Sequence, residues 1–441
     1  MESGCRYDRF AGLQCHSSNP AWQTTPSPGN LDSPDRTRHG DRRLANRRQH
    51  GGCPMFLSAE HHPQILPRES YTSEEVLKQE VDELLVPTWH AVALHSELPH
   101  DGSYVTLELY GRPLILWKSE GDVHCFLNVC SHRYCKLTDK VCGKTDRLSC
   151  QYHGWQFDET GNVRKIPDAK SFRPLKQGML GLKKYRTECC GELIFINLAE
   201  EGPSLPEFLG EMYATYQSWF TPEMHTAIVL TRTIDANWKC LIENALESYH
   251  TTEVHPKTFG ESPTEEQCEH TLDDWGSSLT VDFHDEKSFR TTLDKFGHWL
   301  VGRERNPIYR HVAHYPNVMI AHLSLYRWVE CIVPVSPHQS RSIVRLMCHV
   351  GQQGKLRRLW NRYLISRWAN DFLCQVGEED AQVLTQMQAG MRSVDQPLGG
   401  LISIREERVY HFQNYIDRAL NPDHAHTKRD TIPIRYQGKT S

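Results

Sequence analysis

The feature of the sequence that most constrains its fold is a pair of short boxes, each with one cysteine and one histidine. The first box reads Cys130-Ser-His132, the second reads Cys150-Gln-Tyr-His153, and 17 residues separate them. Each box offers one thiolate and one imidazole from a tight loop, so the fold has to bring two loops together around metal. A tetrahedral zinc ion accepts two Cys and two His, but Cys-x-His is an unusual spacing for such a site.

Four ligands shared between two matched loops suit a two-iron cluster better than a single ion. In a Rieske [2Fe–2S] centre two cysteines hold one iron and two histidines hold the other, so the boxes predict this cluster, with zinc as the alternative. Respiratory Rieske proteins carry a second cysteine in each box, and these two form a disulfide. Cys135 stands at that position in the first box, but Tyr152 leaves it no partner in the second. We expect Cys135 to be a buried free thiol and the cluster to be of the low-potential type.

A second group of metal-ligating residues follows about a hundred residues later. A helical pattern over Cys240–Tyr249 places Glu247 and His250 on one face, because they are three residues apart. His255 comes five residues after His250, so a straight helix would not aim both rings at one point. The helix must therefore end or bend after His250, and two histidines on such a turn can chelate one ion.

The third ligand of this ion should be a carboxylate further along the chain. A helix predicted over Phe372–Met391 places Asp380 near the centre of its apolar stripe. Glu378 points away and Glu379 lies to one side, so we expect substitution of Glu379 to be mild. A carboxylate in a buried stripe is costly unless it pairs or binds metal, and an ion pair between helices is the alternative. Two His and one carboxylate with open positions form the facial triad of non-heme Fe(II) oxygenases.

Composition excludes several classes of protein. The 50 Lys and Arg against 55 Asp and Glu give a net charge of −5, which argues against a nucleic-acid partner. No apolar run approaches the roughly 18 residues of a transmembrane helix, and no signal-peptide pattern is visible. The 15 Cys are an odd number spread along the chain, unlike a secreted disulfide framework. We expect a reducing, cytoplasmic location with no membrane partner, and the sequence has no nucleotide-binding motif.

Residues 1–54 differ from the rest of the chain. They are rich in Ser, Pro, Gly and Arg and poor in aliphatic side chains, so they bury too little apolar surface to fold. We predict a disordered or spurious extension, with Met55 as the true start. A basic arm that binds nucleic acid and a transit peptide are the alternatives.

The motifs together resemble the catalytic (alpha) subunit of Rieske non-heme iron oxygenases, over about residues 65–435. Besides the two boxes and the histidine pair, the resemblance rests on Asn237-Trp238-Lys239 and Glu379-Asp380. It implies an α+β protein with an N-terminal all-β Rieske [2Fe–2S] domain and a C-terminal helix-grip catalytic domain, an antiparallel sheet with helices. We place a helix and the Rieske domain in residues 55–202 and the mononuclear non-heme iron domain in 203–441.

The resemblance also implies partners and an electron path. The family implies a head-to-tail homotrimer that receives electrons from a separate NAD(P)H-dependent reductase or ferredoxin. The electrons pass from the Rieske cluster to the mononuclear Fe(II) of the neighbouring subunit. In ring-hydroxylating members an Asp links the second Rieske His to the first iron-ligand His across that interface. Glu247 stands at this position here, which resembles the branch acting on carnitine and glycine betaine.

This resemblance leads to a functional hypothesis with open alternatives. We expect an oxygenase that inserts one atom of O2 into an unactivated C–H bond. With a quaternary ammonium substrate, the expected chemistry also includes C–N cleavage. A substrate with an ammonium group would favour a binding site lined by aromatic rings, an aromatic cage. The alternative is that the candidate rings are ordinary core aromatics. The candidate cage residues are Trp299, Tyr309, Tyr315, Tyr326 and Trp328. The alternatives are an aromatic-ring dioxygenase, a Rieske electron carrier without oxygenase activity, which would leave the second site without purpose, and a zinc-stabilised binding module.

Overall fold

The computed structural model describes most of the chain. The described ranges are residues 61–173, 175–176, 178–259, 263, 267–283, 289–352, 354–395 and 400–422. The predicted extension 1–54 and the start at Met55 lie outside them. Among these residues none of the helices combines the length and the apolar character needed to span a bilayer.

The described residues form nineteen strands and eight α-helices. The strands β1 to β19 are His62–Pro63, Trp89–Leu94, Ser103–Leu109, Arg112–Ser119, Asp122–Leu127, Cys142–Lys144, Leu148–Ser149, Gln156–Phe157, Val163–Lys165, Lys184–Cys190, Leu193–Asn197, His225–Ile234, Cys268–Asp273, Gly276–Asp282, Ile308–His314, Val318–Leu323, Tyr326–Ser336, Gln339–Cys348 and Leu401–Ile402. The helices α1 to α8 are Glu74–Glu80, Leu205–Leu209, Met212–Trp219, Trp238–Leu246, Thr251–Val254, Phe289–Val301, Lys355–Met391 and Glu407–Leu420.

The N-terminal half is built from β-structure, as the sequence predicts. A seven-stranded antiparallel sheet has the order β2-β11-β10-β5-β4-β3-β6, and β7, β8 and β9 form a small second sheet. A hairpin at Gly111 joins β3 and β4, with left-handed backbone at Tyr110 and Gly111. The first metal box follows β5, and the second lies between β7 and β8, so both boxes lie in loops at the ends of strands.

The C-terminal half is an antiparallel sheet with helices packed on it. Its order is β12-β18-β17-β16-β15-β14-β13. Helix α4 packs against β17 and β18, α7 packs against β12, and α8 packs against β14 and α4. Side chains directly opposite one another in the ladders share a face. The registered row that includes Trp328 is His270, Leu279, His311, Ala321, Trp328 and Leu346.

The two halves share a hydrophobic core. One cluster combines Trp89 and Phe195 of the first sheet with Val312 and Val318 of the second. The segment around α1 packs instead with the helices of the second half, where Glu80 receives hydrogen bonds from two fully buried side chains. These are the Lys239 ammonium at 2.6 Å and the Trp238 indole N–H at 2.8 Å. The predicted division at residues 202 and 203 therefore remains a prediction.

Several elements differ from the sequence expectation in extent. Helix α4 ends at Leu246, three residues before the predicted end, because Glu247 has an extended backbone with φ −126° and ψ 166°. Helix α7 begins at Lys355 and not at Phe372, and its first half carries an exposed apolar face that blurs the helical pattern. Strands β13 to β16 were not predicted. In β13 to β15, His, Ser and Thr interrupt the apolar alternation.

Candidate metal centres

The two predicted boxes form two loops with the same backbone hydrogen bonds. In the first loop the N–H of Cys130 donates to the carbonyl of Cys135 at 2.8 Å, and the N–H of Tyr134 donates to the carbonyl of Cys130 at 3.0 Å. In the second loop Cys150 makes the equivalent bonds with Trp155 and Gly154, at 2.8 and 2.9 Å. The structure therefore presents the two cysteines in equivalent positions, as a cluster shared by two loops requires.

The four box residues divide into a buried pair and an accessible pair. The Cys130 and Cys150 side chains are buried, whereas His132 is half-buried and His153 is exposed. The two imidazole centroids are 4.7 Å apart, and the His132 ring stacks on Trp155 at 4.8 Å. Burial raises the pKa of the Cys130 thiol to about 11. A bound metal ion would offset this by stabilising the thiolate, so the buried cysteines suit metal ligation.

The remaining cysteine of the first loop is a free thiol. Cys135 has no disulfide partner, as predicted, but it is half-buried where the sequence predicted burial. Its thiol donates a hydrogen bond to the carbonyl of Lys136 at 3.3 Å.

The second predicted site forms where α4 ends and the short helix α5 begins. The break lies between Leu246 and Thr251, so His250 stands just before α5 and His255 directly after it. One turn of helix brings the two rings to the same side, with centroids 5.3 Å apart. The predicted break is present, although it comes earlier than the position after His250.

His250, His255 and Asp380 converge on one point. Their ligand atoms all lie within 4.8 Å of one another, and in the described part of the chain they are the one group of at least three such residues that converges in this way. Asp380 Oδ1 is 3.0 Å from His255 Nε2 and 3.7 Å from His250 Nε2. This oxygen is buried and has no hydrogen-bond partner. An unpartnered buried carboxylate oxygen is costly, and a cation between it and the imidazoles would stabilise it.

A glutamate holds the outer nitrogen of each histidine. Glu247 Oε1 contacts His250 Nδ1, and its other oxygen accepts the backbone N–H of His250 at 3.1 Å. Glu379 Oε2 is 2.7 Å from His255 Nδ1, and it also accepts hydrogen bonds from Thr258. A carboxylate on Nδ1 fixes a metal-binding imidazole with its Nε2 toward the ion.

The pKa of His250 reflects its burial and the two carboxylates beside it. Burial lowers it, but the hydrogen bond and charge of Glu247, with the charge of Asp380, outweigh burial and leave the pKa raised. The contact to Glu247 was predicted from a shared helix face. It arises instead beyond the end of α4, where the extended Glu247 folds back on the next turn.

Sequence reasoning missed the contribution of Glu379. Its place beside the apolar stripe of α7 gave no reason to expect contact with His255. The contact depends on where α5 docks on α7, and no pattern within either segment encodes that docking. The available signal was the adjacency of Glu379 and Asp380, two carboxylates that can serve neighbouring atoms of one histidine.

The predicted aromatic cage is partly present. Tyr309, Tyr326 and Trp328 project from the sheet face that carries α7 and are half-buried. Tyr315 is buried, and its hydroxyl donates to Ser277 Oγ at 3.1 Å. Trp299 is 68% exposed on α6. Three of the five predicted rings therefore share one surface, and the other two belong to the core and to the exterior.

Comparison with known proteins identifies both halves. A family model for the Rieske [2Fe-2S] domain matches residues 88–186, and one for the ring hydroxylating alpha subunit (catalytic domain) matches residues 213–421. The glycine betaine monooxygenase oxygenase subunit of Pseudomonas aeruginosa (strain UCBPP-PA14) is 32% identical over 207 residues, which cover 46% of this chain and 47% of that protein. The carnitine monooxygenase oxygenase subunit of Escherichia coli (strain K12) is 29% identical over 53% of this chain and 65% of that protein.

The fold is also similar to solved structures. The quaternary ammonium Rieske monooxygenase CntA in complex with L-carnitine superimposes with a TM-score of 0.64 at 20% identity, covering 83% of this chain and 96% of that one. At this identity the likeness concerns the fold. The chain spans about half the length of the first curated relative and less than two thirds of the second.

The matched domains imply a Rieske [2Fe–2S] cluster and a mononuclear iron. The donor sets present fit both groups, since buried thiols with accessible imidazoles suit the cluster and an unpartnered Asp380 oxygen facing two Nε2 atoms suits the ion. With a Rieske domain followed by the catalytic domain of ring-hydroxylating alpha subunits, the chain belongs to the Rieske non-heme iron oxygenases.

Proposed function

We propose that this chain is the catalytic subunit of a monooxygenase that hydroxylates a C–H bond of a quaternary ammonium compound. The cluster ligands are Cys130, His132, Cys150 and His153, and the ligands of the mononuclear Fe(II) are His250, His255 and Asp380. When bound, the cluster supplies single electrons and the mononuclear iron activates O2. The overall reaction consumes one O2, two electrons and two protons, and it yields the hydroxylated product and water.

One observation carries the proposal. The buried, unpartnered Oδ1 of Asp380 faces the Nε2 atoms of two histidines, in the same chain as the Rieske boxes. An electron carrier has no use for a second donor set of this kind. A zinc-stabilised module would likewise leave this second donor set without a purpose.

Two glutamates prepare the histidines for this role. Glu247 and Glu379 each engage an Nδ1 atom, so both imidazoles keep their N–H on that side and direct the Nε2 lone pair inward. Neutral imidazole is the form that binds metal. The preorganised rings leave a bound ion with open positions for O2 or water, because three protein ligands do not complete its coordination.

Electron transfer is proposed to run between subunits. Within one chain, no hydrogen bond among the described residues joins His132 or His153 to Glu247 or His250. The His153 ring is exposed and is therefore accessible to a second copy. We assign Glu247 as the link between His250 and His153 of the next subunit in a homotrimer, with a separate NAD(P)H-dependent reductase or ferredoxin as the electron donor.

The substrate class rests on the relatives and on the aromatic face. Two relatives are named as acting on glycine betaine and carnitine. The half-buried rings of Tyr326 and Trp328 project from β17 toward α7, the helix that carries Asp380. Aromatic faces attract quaternary ammonium groups through cation–π interactions. The name of the catalytic-domain family favours a second candidate, an aromatic-ring dioxygenase.

Oxygen uptake with a substrate panel tests these functions. The holoenzyme, supplied with NADH and a reductase that reduces its cluster, is given choline, glycine betaine, carnitine and a set of aromatic acids. With isotopically labelled O2, we expect oxygen uptake and one labelled oxygen atom in the oxidised ammonium product. Two labelled atoms in an aromatic diol would establish the second candidate. Cluster reduction without uptake on any compound, in protein that contains mononuclear iron, would contradict both.

A further inference from the structure

A carboxylate near the iron site has no assigned role. Strand β17 alternates between half-buried Tyr326, Trp328 and Glu330 on one face and buried residues on the other. The half-buried face is the one on which α4, α7 and α8 pack. Trp328 belongs to a hydrophobic cluster with residues of α4 and α7, and His311, in the same cross-strand row, contacts Arg408 of α8. Glu330 therefore lies between the sheet and the helices and is half-buried there.

Burial raises the pKa of the Glu330 carboxyl, and the fold gives its charged form little compensation. Its cross-strand neighbours are Met319 and Val344, both apolar. The Ser342 hydroxyl donates to Oε1 and is the one hydrogen-bond donor that the described residues offer. Arg232 attracts the carboxylate but forms no ion pair with it. The Arg232 guanidinium instead lies against α7 at Gly377. It is so close to this glycine that a Cβ added there would be 1.9 Å from the guanidinium.

The position of Glu330 connects it to the iron site. Asp380 lies close enough for its charge to act on Glu330. Trp328, two residues before Glu330, packs against the same hydrophobic cluster as Ala381, the residue that follows Asp380 on α7. Tyr326, Trp328 and Glu330 therefore lie on the sheet face that packs against α7, the helix that carries Asp380.

We infer that Glu330 and the rings of Tyr326 and Trp328 form the binding site for the cationic head of the substrate. This inference rests on the proposed function and names the residue that selects a cation. A half-buried carboxylate without an ion partner is costly, and a trimethylammonium group would stabilise it while its methyl groups contact the aromatic faces. A cation held there would lie between the sheet and α7, the helix that carries Asp380.

The test compares cations with neutral molecules of the same shape. Choline is paired with 3,3-dimethylbutan-1-ol, and betaine aldehyde with 3,3-dimethylbutanal, in which carbon replaces the charged nitrogen. Dissociation constants for the holoenzyme are measured by calorimetry. Glu330→Gln keeps the volume and the acceptor for Ser342 but removes the charge. It should weaken binding of the cations by about tenfold or more and leave the neutral isosteres within about twofold.

Two further variants keep the inference falsifiable. Glu269→Gln is the matched control, since Glu269 is exposed on the opposite face of the same sheet, and it should change neither affinity. Glu330→Asp retains the charge, so it should retain the preference for cations even if Glu330→Gln folds poorly. Wild-type protein that binds or oxidises no trimethylammonium compound would overturn the proposed function and this inference together. Wild-type protein that oxidises them, with an unchanged preference in Glu330→Gln, would overturn the inference alone.

Discussion

Tyr134 and Gly154 occupy the same position in the two box loops. Each donates its backbone N–H to the carbonyl of the cysteine four residues earlier, and each has a left-handed backbone, with φ values of 59° and 68°. This region suits glycine and costs a residue with a Cβ roughly 1–2 kcal/mol. The first loop therefore adopts with a tyrosine the conformation that the second loop adopts with a glycine.

Tyr134→Gly should stabilise the Rieske domain. The tyrosine side chain is 82% exposed, so its removal sacrifices little packing. Relief of the left-handed strain offsets the roughly 0.5–1 kcal/mol that glycine loses through its freer unfolded state, which leaves a gain of up to about 1.5 kcal/mol. Denaturant titration followed by loss of the visible Rieske absorption measures it. Tyr134→Ala is the control, since it removes the ring but keeps the Cβ and should give no gain. A destabilised glycine variant would show that the ring contributes contacts that its exposure conceals.

Asp380→Ala should remove the mononuclear iron and all turnover. The substitution deletes one of only three proposed protein ligands, while the Rieske loops are untouched. Total iron should fall from about three to about two atoms per chain, with unchanged Rieske visible and EPR spectra. Metal analysis alongside the EPR spectrum provides the measurement. Retention of the third iron with loss of activity would mean that Asp380 acts other than as a ligand.

Glu379→Ala should weaken mononuclear iron binding by about 10- to 100-fold, the usual effect of losing a carboxylate behind a histidine ligand. The reason is the 2.7 Å contact between Glu379 and His255 Nδ1, which fixes the ring. This revises the mild effect expected from the sequence. Competition with a chelator measures the affinity. The neighbouring Glu378, which is exposed, gives the matched control Glu378→Ala. Equal affinities in the two variants would show that the packing of α5 alone orients His255.

The sequence was sufficient to predict features that depend on neighbouring residues, but not contacts that depend on how separate elements pack together. The two boxes, the break between α4 and α5, and Asp380 were accessible because ligand spacing and helical periodicity are local properties. Glu379 and Glu330 were not, since their partners are brought together by the packing of α5 on α7 and by the register of β17 with β18. Strand β14 was missed because Ser277 and Ser278 are buried polar residues, whose hydrogen bonds no alternation pattern reveals.

Glu247→Gln should leave both metal sites occupied and slow electron transfer between them. The amide retains the shape and one acceptor oxygen for His250 Nδ1, but it weakens the charge-assisted bonds. Turnover should fall at least about tenfold, equivalent to 1.4 kcal/mol of barrier. The rate at which a reduced cluster is reoxidised by O2 and substrate reports the step directly. Glu253→Gln, an exposed glutamate on α5, is the control. A cluster reoxidised at the wild-type rate would remove Glu247 from the electron path, and loss of iron would make it a support for His250.

Glu243→Gln should change how stability depends on pH. Glu243 on α4 accepts hydrogen bonds from the Tyr71 hydroxyl at 2.5 Å and the Gln413 amide at 3.0 Å. Burial raises its pKa to about 7, although these bonds oppose the rise. In the unfolded chain the pKa returns to about 4.5. Between these two values the folded protein binds more protons than the unfolded chain, so stability falls as the pH rises through this window.

Removing the titrating group removes this loss. The cost of ionising Glu243 in the folded protein is at most about 3 kcal/mol, at 1.36 kcal/mol for each pKa unit. The wild-type protein and Glu243→Gln should therefore have similar melting temperatures near pH 5, and the variant should be the more stable at pH 8. Scanning calorimetry at a series of pH values measures the difference, with the exposed Glu83→Gln as the background. Parallel curves for Glu243→Gln and wild type would mean that Glu243 is ionised throughout, with solvent reaching its half-buried carboxylate in the folded state.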